Sequence, residues 1–211
     1  MAKQCWKPGN MLYPLPAVMV SCAREGERPN IITVAWTGTV CTNPPMVSIS
    51  LRPSRYSYEI IQETGEFVIN LTTEELARAA DFCGVRSGRQ TDKFQETGLT
   101  PDPSSMLRHA PGILESPVNI ECKVWEIQQL GSHHLFLAHV AGVRVEDRLL
   151  DKSGRLDLSK AKLIAYSHGE YFTLGRLCGS FGYSVRREKG KSLKKTGRAV
   201  SGNGRKRRSP E

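Results

Sequence analysis

A chain of 211 residues suits one domain with a sizeable core. Its 39% apolar and 24% charged content is ordinary for a globular protein, and no apolar run approaches the ~18 residues of a membrane span. The net charge of +9 is concentrated in Arg186–Glu211, with 11 basic and 2 acidic residues, leaving 19 of each sign in Met1–Val185; a neutral body argues against a nucleic-acid-binding face there.

Met1–Asn10 lacks the apolar core of a signal peptide, so the chain reads as cytoplasmic. Leu12–Pro16 leads into Ala17–Cys22, an apolar run that predicts a buried strand. The polar turn Arg24–Arg28 returns the chain into a second strand at Ile31–Ala35, antiparallel to the first. Thr37-Gly38-Thr39 and Thr42-Asn43-Pro44-Pro45 then read as a tight connection before a third strand, Met46–Leu51.

Arg52-Pro53-Ser54-Arg55-Tyr56-Ser57 is a turn into a helix. It gathers hydroxyls, guanidinium groups and free backbone N–H groups where a phosphate can sit. Ser54 can cap that helix, which carries Tyr58, Ile60 and Ile61 and stops at Gly65. Glu66–Leu71 predicts another strand. Thr72 and Glu75 have capping-box spacing before a helix through Leu76, Ala77 and Ala80 to about Phe82.

Glycines and prolines punctuate Cys83–Pro111, predicting a long loop with a helical turn at Thr91–Phe94. Val118–Trp125 alternates with period two, and His134–Val145 reads as its antiparallel partner across Gly131-Ser132. Asp151–Gly154 is a turn, and Leu163–Tyr166 is a short strand. Many short strands without βαβ rhythm predict a closed or sandwiched antiparallel sheet rather than a dinucleotide-binding α/β fold. The six cysteines form no Cys-x-x-Cys pair and read as reduced, mostly buried apolar residues.

In this order along the chain stand Asn30–Gly38, Pro44–Val47, Arg52–Ser57, Gly65–Leu71, Cys83–Gly88, Asp92–Phe94, Gly131–His133 and Ala165–Tyr171. Together they resemble the flavin reductase-like family, the FMN-binding split barrels, and within it are similar to the flavoredoxins. The likeness spans most of Pro14–Val185. Residues 1–185 are thus expected to form one mainly β, Greek-key split barrel with a few short helices. Residues 186–211 are expected to be a basic, disordered tail, solvated or weakly bound to nucleic acid or an acidic surface.

The resemblance implies a homodimer with one FMN per subunit near the interface. It also implies hydride or electron transfer with NAD(P)H or a redox protein partner. A flavin reductase and a flavoredoxin-like carrier without free-flavin reductase activity both stay open. So does a non-catalytic flavin- or nucleic-acid-binding protein.

A flavin site needs its phosphate neutralised, its ring edge hydrogen-bonded and its ring shielded. Ser57 and Tyr56 offer hydroxyls, Arg52 or Arg55 a fork, Lys93 (beside Phe94) a point charge, and Ser54 either a cap alone or a phosphate contact as well. Asn30, Thr33, Thr37 and backbone groups of Ala35–Gly38 and Ser50-Leu51-Arg52 suit the ring edge, with Trp36 as its cover. Asn70 is either a strand-end residue or part of this set. Asp92 reads as a partner for Lys93. His133 and His168, beside turns in matching segments, can reach the flavin from the same subunit or its partner. No catalytic residue is assigned, since hydride transfer requires alignment more than proton abstraction.

Overall fold

In the computed structural model the described residues are 1–186, so all but the first residue of the expected basic tail lies outside them. The chain divides into two compact units, Met1–Gly175 and Arg176–Glu211. In the second, the described stretch holds a 3-10 turn at Tyr183–Val185.

The first unit runs β1 (Leu15–Pro16), β2 (Val18–Cys22), β3 (Asn30–Val34), β4 (Thr37–Cys41), β5 (Met46–Leu51), α1 (Tyr56–Thr64), β6 (Glu66–Leu71), α2 (Ala77–Val85), α3 (Lys93–Thr97), β7 (Pro101–Asp102), β8 (Gly112–Ile113), β9 (Val118–Gln129), β10 (His134–Val145), β11 (Ile164–Ser167) and β12 (Glu170–Thr173). Seven strands form one antiparallel sheet in the order β3-β2-β6-β9-β10-β5-β4. β3 is an edge and β5 lies near the other edge, yet the two touch, so the sheet curls into a half-barrel. The curl closes on a core of Val20, Ile32, Ile49, Ile61, Phe67 and Phe136. β1, β11 and β12 form a smaller sheet. The expected mainly β split barrel is therefore the fold of this unit.

Several local readings are corrected. Thr37–Cys41 is a strand rather than a connection, pairing Thr37 with Ile49 and Gly38 with Ser48. It lacks apolar alternation because it is an edge strand with three exposed residues. Ser54 does not cap α1; Arg55 holds the N-cap position and no side chain bonds there. The predicted stop is present, since Gly65 ends α1 at φ 67°, where a Cβ would be strained.

The Thr72–Glu75 capping box is not formed. Leu76 N–H donates to Thr73 Oγ1 at 3.3 Å, while the buried Thr72 hydroxyl has no hydrogen-bond partner among the described residues. α2 also continues to Val85, past the predicted end. Asp92 caps α3 by accepting from Gln95 N–H at 3.2 Å, rather than pairing with Lys93.

Two buried polar groups tie the 101–113 segment to the sheet. Asn70 donates to Met19 and Val68 carbonyls and to Ser21, and accepts from Ile113 N–H and Asn119. Glu121 on β9 is fully buried and accepts from the backbone N–H groups of Ser105 and Met106.

Candidate functional site

α1 begins where β5 leaves the sheet, and α2 ends beside β3. Between them opens a pocket of about 240 Å³. Its lining includes Arg52, Arg55, Arg86 and Lys93, the hydroxyl residues Ser54, Tyr56, Ser57 and Ser87, and Asn30, Cys83 and Gly88. Among the described residues no carboxylate lines it. Among the described residues Arg52, Arg55 and Arg86 make no ion pair. Uncompensated cations beside hydroxyls suit a phosphate.

Lys93 is more deeply placed than its expected role implied. It is buried, and Nζ donates to the carbonyls of Ile31 at 2.6 Å and Cys83 at 2.7 Å. An ammonium has three donors, so one is left for the pocket. Burial pulls its pKa down to about 8; the Arg55 charge pulls the same way, while the Cys83 and Cys22 thiols oppose it. An arriving dianion would restore the cation. The Cys83 thiol itself is pushed up to about 11 by burial, which makes it a poor nucleophile.

Asn30 donates to Ser57 Oγ at 2.7 Å, fixing both at the pocket wall. Arg89 lies 5.1 Å over the Tyr56 ring and pairs with Glu59 at 2.6 Å. Gly88 is where the chain passes closest. A Cβ there would stand 2.0 Å from Asn30 Oδ1 and 2.9 Å from Tyr56 Cδ1. Gly88→Ala is therefore expected to push both side chains into the pocket and cost about 1–3 kcal/mol. Denaturant unfolding checks this, and a variant as stable as the parent would contradict it.

A second, larger cleft of about 440 Å³ adjoins the first, and Ile32, Arg52 and Arg55 line both. Thr33, Val34, Ala35, Trp36, Ser50 and Leu51 form one side. Trp36 and His133 lie near-parallel, with ring centroids 6.4 Å apart and 12° between planes. Burial and then the Arg52 charge lower the His133 pKa, favouring the neutral ring. The Thr33 hydroxyl donates to the Ala80 carbonyl, which spends its donor away from the cleft.

Asp81, Tyr166 and Tyr171 also line this cleft. Tyr171 Oη donates to Asp81 Oδ1 at 3.3 Å; burial first, and then Asp81, push its pKa up to about 12. A slot with an aromatic wall, joined to a cationic pocket, can hold a flat ring and a phosphate on one molecule.

Most residues expected from the sequence come together here, but five do not. Asn70 spends its amide on the core network and lines neither pocket. Phe94 is buried against Met19, Ile31 and Ile113. His168 sits at the β11–β12 turn with its ring 5.8 Å from Tyr13. Thr37 and Gly38 line a neighbouring groove with Met11, Leu12 and Tyr13, which shares Trp36 and Ser50 with the ring cleft, and Thr37 Oγ1 donates to the Ser48 carbonyl at 2.8 Å.

Asp81, Gly84, Arg86, Ser87, Gly88, Tyr166 and Tyr171 were not foreseen as site residues. Cys83–Gly88 stands among the matching segments, but nothing in its residue types separates a wall of the pocket from a loop.

A family model described as flavin reductase like domain matches residues 11–175. The flavoredoxin of Desulfovibrio vulgaris is 30% identical, with a TM-score of 0.80 over 88% of this chain and all of that one. Flavoredoxin from Methanosarcina acetivorans is 26% identical, with a TM-score of 0.79 over 88% of this chain and all of that one. The FMN-binding protein from Thermus thermophilus is 25% identical, with a TM-score of 0.68 over 82% of this chain and 94% of that one.

Proposed function

We propose that this chain, which belongs to the flavin reductase-like family, binds FMN in the two joined pockets and serves as an oxidoreductase through it. One observation carries the reading: a cation cluster that makes no ion pair among the described residues opens directly into a cleft walled by Trp36. The residues fit the cofactor at both ends. Arg55, Arg86 and the free donor of Lys93 would face the phosphate, with Ser54, Ser57 and Ser87 completing its shell. Trp36, Val34 and Leu51 would shield the ring, while Ser50 and nearby backbone groups address its polar edge.

When bound, FMN supplies the electron and hydride chemistry itself. The protein would contribute alignment, exclusion of water from one ring face, and a cationic field favouring the reduced, more anionic cofactor. No side chain is assigned a proton-transfer role.

Titration of flavin-free protein with FMN and riboflavin tests the reading. Arg55→Ala is expected to weaken FMN by about 1–3 kcal/mol and riboflavin far less, since only FMN carries the phosphate. Trp36→Ala should weaken both alike. Equal losses for the two flavins in Arg55→Ala would remove the phosphate assignment.

The likeness to flavoredoxins favours a second reading, a carrier that keeps its FMN and trades electrons with a protein. Mixing FMN-loaded protein with NADH or NADPH separates them. Rapid bleaching and turnover of added flavin supports a reductase, and slow bleaching by both supports the carrier. We also propose a homodimer, supported by exposed Met11, Leu12 and Val40 along the groove beside edge strand β4. Sedimentation at micromolar concentration tests it.

A further inference from the structure

We infer that Tyr58, a core tyrosine outside both pockets, is the positioning residue that joins the phosphate half of the site to the ring half. This rests on the FMN reading for its purpose but not for its geometry. Tyr58 follows Tyr56 and Ser57 on α1, and those two line the cationic pocket. Its own side chain is buried against the barrel core.

Its hydroxyl lies 2.8 Å from His134 Nδ1. His134 opens β10, where it pairs with Leu51, itself part of the ring cleft. The preceding residue is His133, near-parallel to Trp36. One partly buried hydrogen bond thus connects the helix bearing the anion pocket to the strand end bearing the wall of the ring cleft.

The bond is well placed to act through position alone. The Tyr58 ring packs edge-on against both His134 and Phe136, with centroids 5.3 Å away in each case. Tyr58→Phe therefore keeps the packing and removes only the hydroxyl. What it loosens is the His134 ring at the start of β10, and with it the place of the adjacent His133, while the backbone pairing of His134 with Leu51 and Gln129 keeps the register. A site needs such support because loosening by a fraction of an ångström degrades alignment.

The test reads the wall with and without flavin. In flavin-free protein labelled with ¹⁵N-tryptophan, the Trp36 indole signal, identified with Trp36→Phe, is expected to shift in Tyr58→Phe while those of Trp6 and Trp125 stay. Riboflavin and FMN dissociation constants should rise together by about five- to tenfold, leaving their ratio unchanged. His134→Phe should do the same, and the double variant should be no worse than either. Ile61→Val, on the same helix, should lower the Tm without moving the indole signal or the constants. An unmoved Trp36 signal in Tyr58→Phe, or additive losses in the double variant, would overturn the inference. Absence of flavin binding by the parent protein would instead reject the FMN reading, with the indole signal still deciding the role of Tyr58.

Discussion

Lys93→Met is expected to lower FMN affinity by about 1–3 kcal/mol, roughly five- to 150-fold, through loss of a charged donor. The structure adds a second consequence. The ammonium also satisfies the Ile31 and Cys83 carbonyls, joining β3 to the end of α2. The variant should therefore lose some stability and some riboflavin affinity as well. A loss for riboflavin as large as that for FMN would show that Lys93 acts only as a tie.

The pH dependence separates the two roles. Burial has lowered the Lys93 pKa from 10.5 to about 8 in the flavin-free fold. Above about 8 the native lysine is neutral, so FMN affinity should fall with rising pH while riboflavin affinity does not. Stability runs the other way. Between about 8 and 10.5 the unfolded chain binds a proton that the native state lacks, so Lys93 adds stability as pH rises through that window. The parent minus Lys93→Met, by urea unfolding at pH 7 and pH 10, isolates this contribution. A difference independent of pH would contradict it.

Glu121→Ala is expected to be the most damaging single substitution away from the site. The carboxylate is fully buried and accepts from Met106 N–H at 2.7 Å and Ser105 N–H at 2.9 Å. Arg144 Nε lies 3.2 Å away, a charge contact without hydrogen-bond alignment. Arg144 in turn reaches Asp102 at 2.8 Å and the Pro103 carbonyl at 2.9 Å.

Removing the carboxylate leaves two backbone donors unpaired and the guanidinium half-compensated. Breaking a buried pair from one side costs about 3–5 kcal/mol. For a chain of this size that is a Tm fall of about 6–20 °C. Glu121→Gln keeps an acceptor and should lose less. Calorimetry checks both, and because Glu121 lines neither of the two pockets, riboflavin affinity measured well below the Tm should be unchanged. A Glu121→Ala protein as stable as the parent would show that the 101–113 segment is held by Asn70 alone.

The strands β2, β3, β5, β6, β9 and β10 were legible because their apolar periodicity is a local property of the chain. The αL stop of α1 was legible because Gly65 has no Cβ to strain. Arg52, Ser54, Arg55, Tyr56 and Ser57 could be placed together because they occupy one turn, where sequence neighbours are spatial neighbours. β4 was misread because an exposed edge strand carries no apolar alternation.

Only the tertiary structure decided the rest of the site. Lys93, Asn70 and Phe94 are all plausible near a ligand by residue type. Folding buries Lys93 at the pocket, turns Asn70 into a junction between strands, and packs Phe94 under α2. Gly88 meets Asn30 and Tyr56 across dozens of residues, and Tyr166 and Tyr171 reach the ring cleft from a different sheet. Periodicity and turn chemistry are written in residues a few positions apart. The curl that brings β3, α1, α2 and β11 around one cleft is set by long-range packing, so its consequences appear only once the chain is folded.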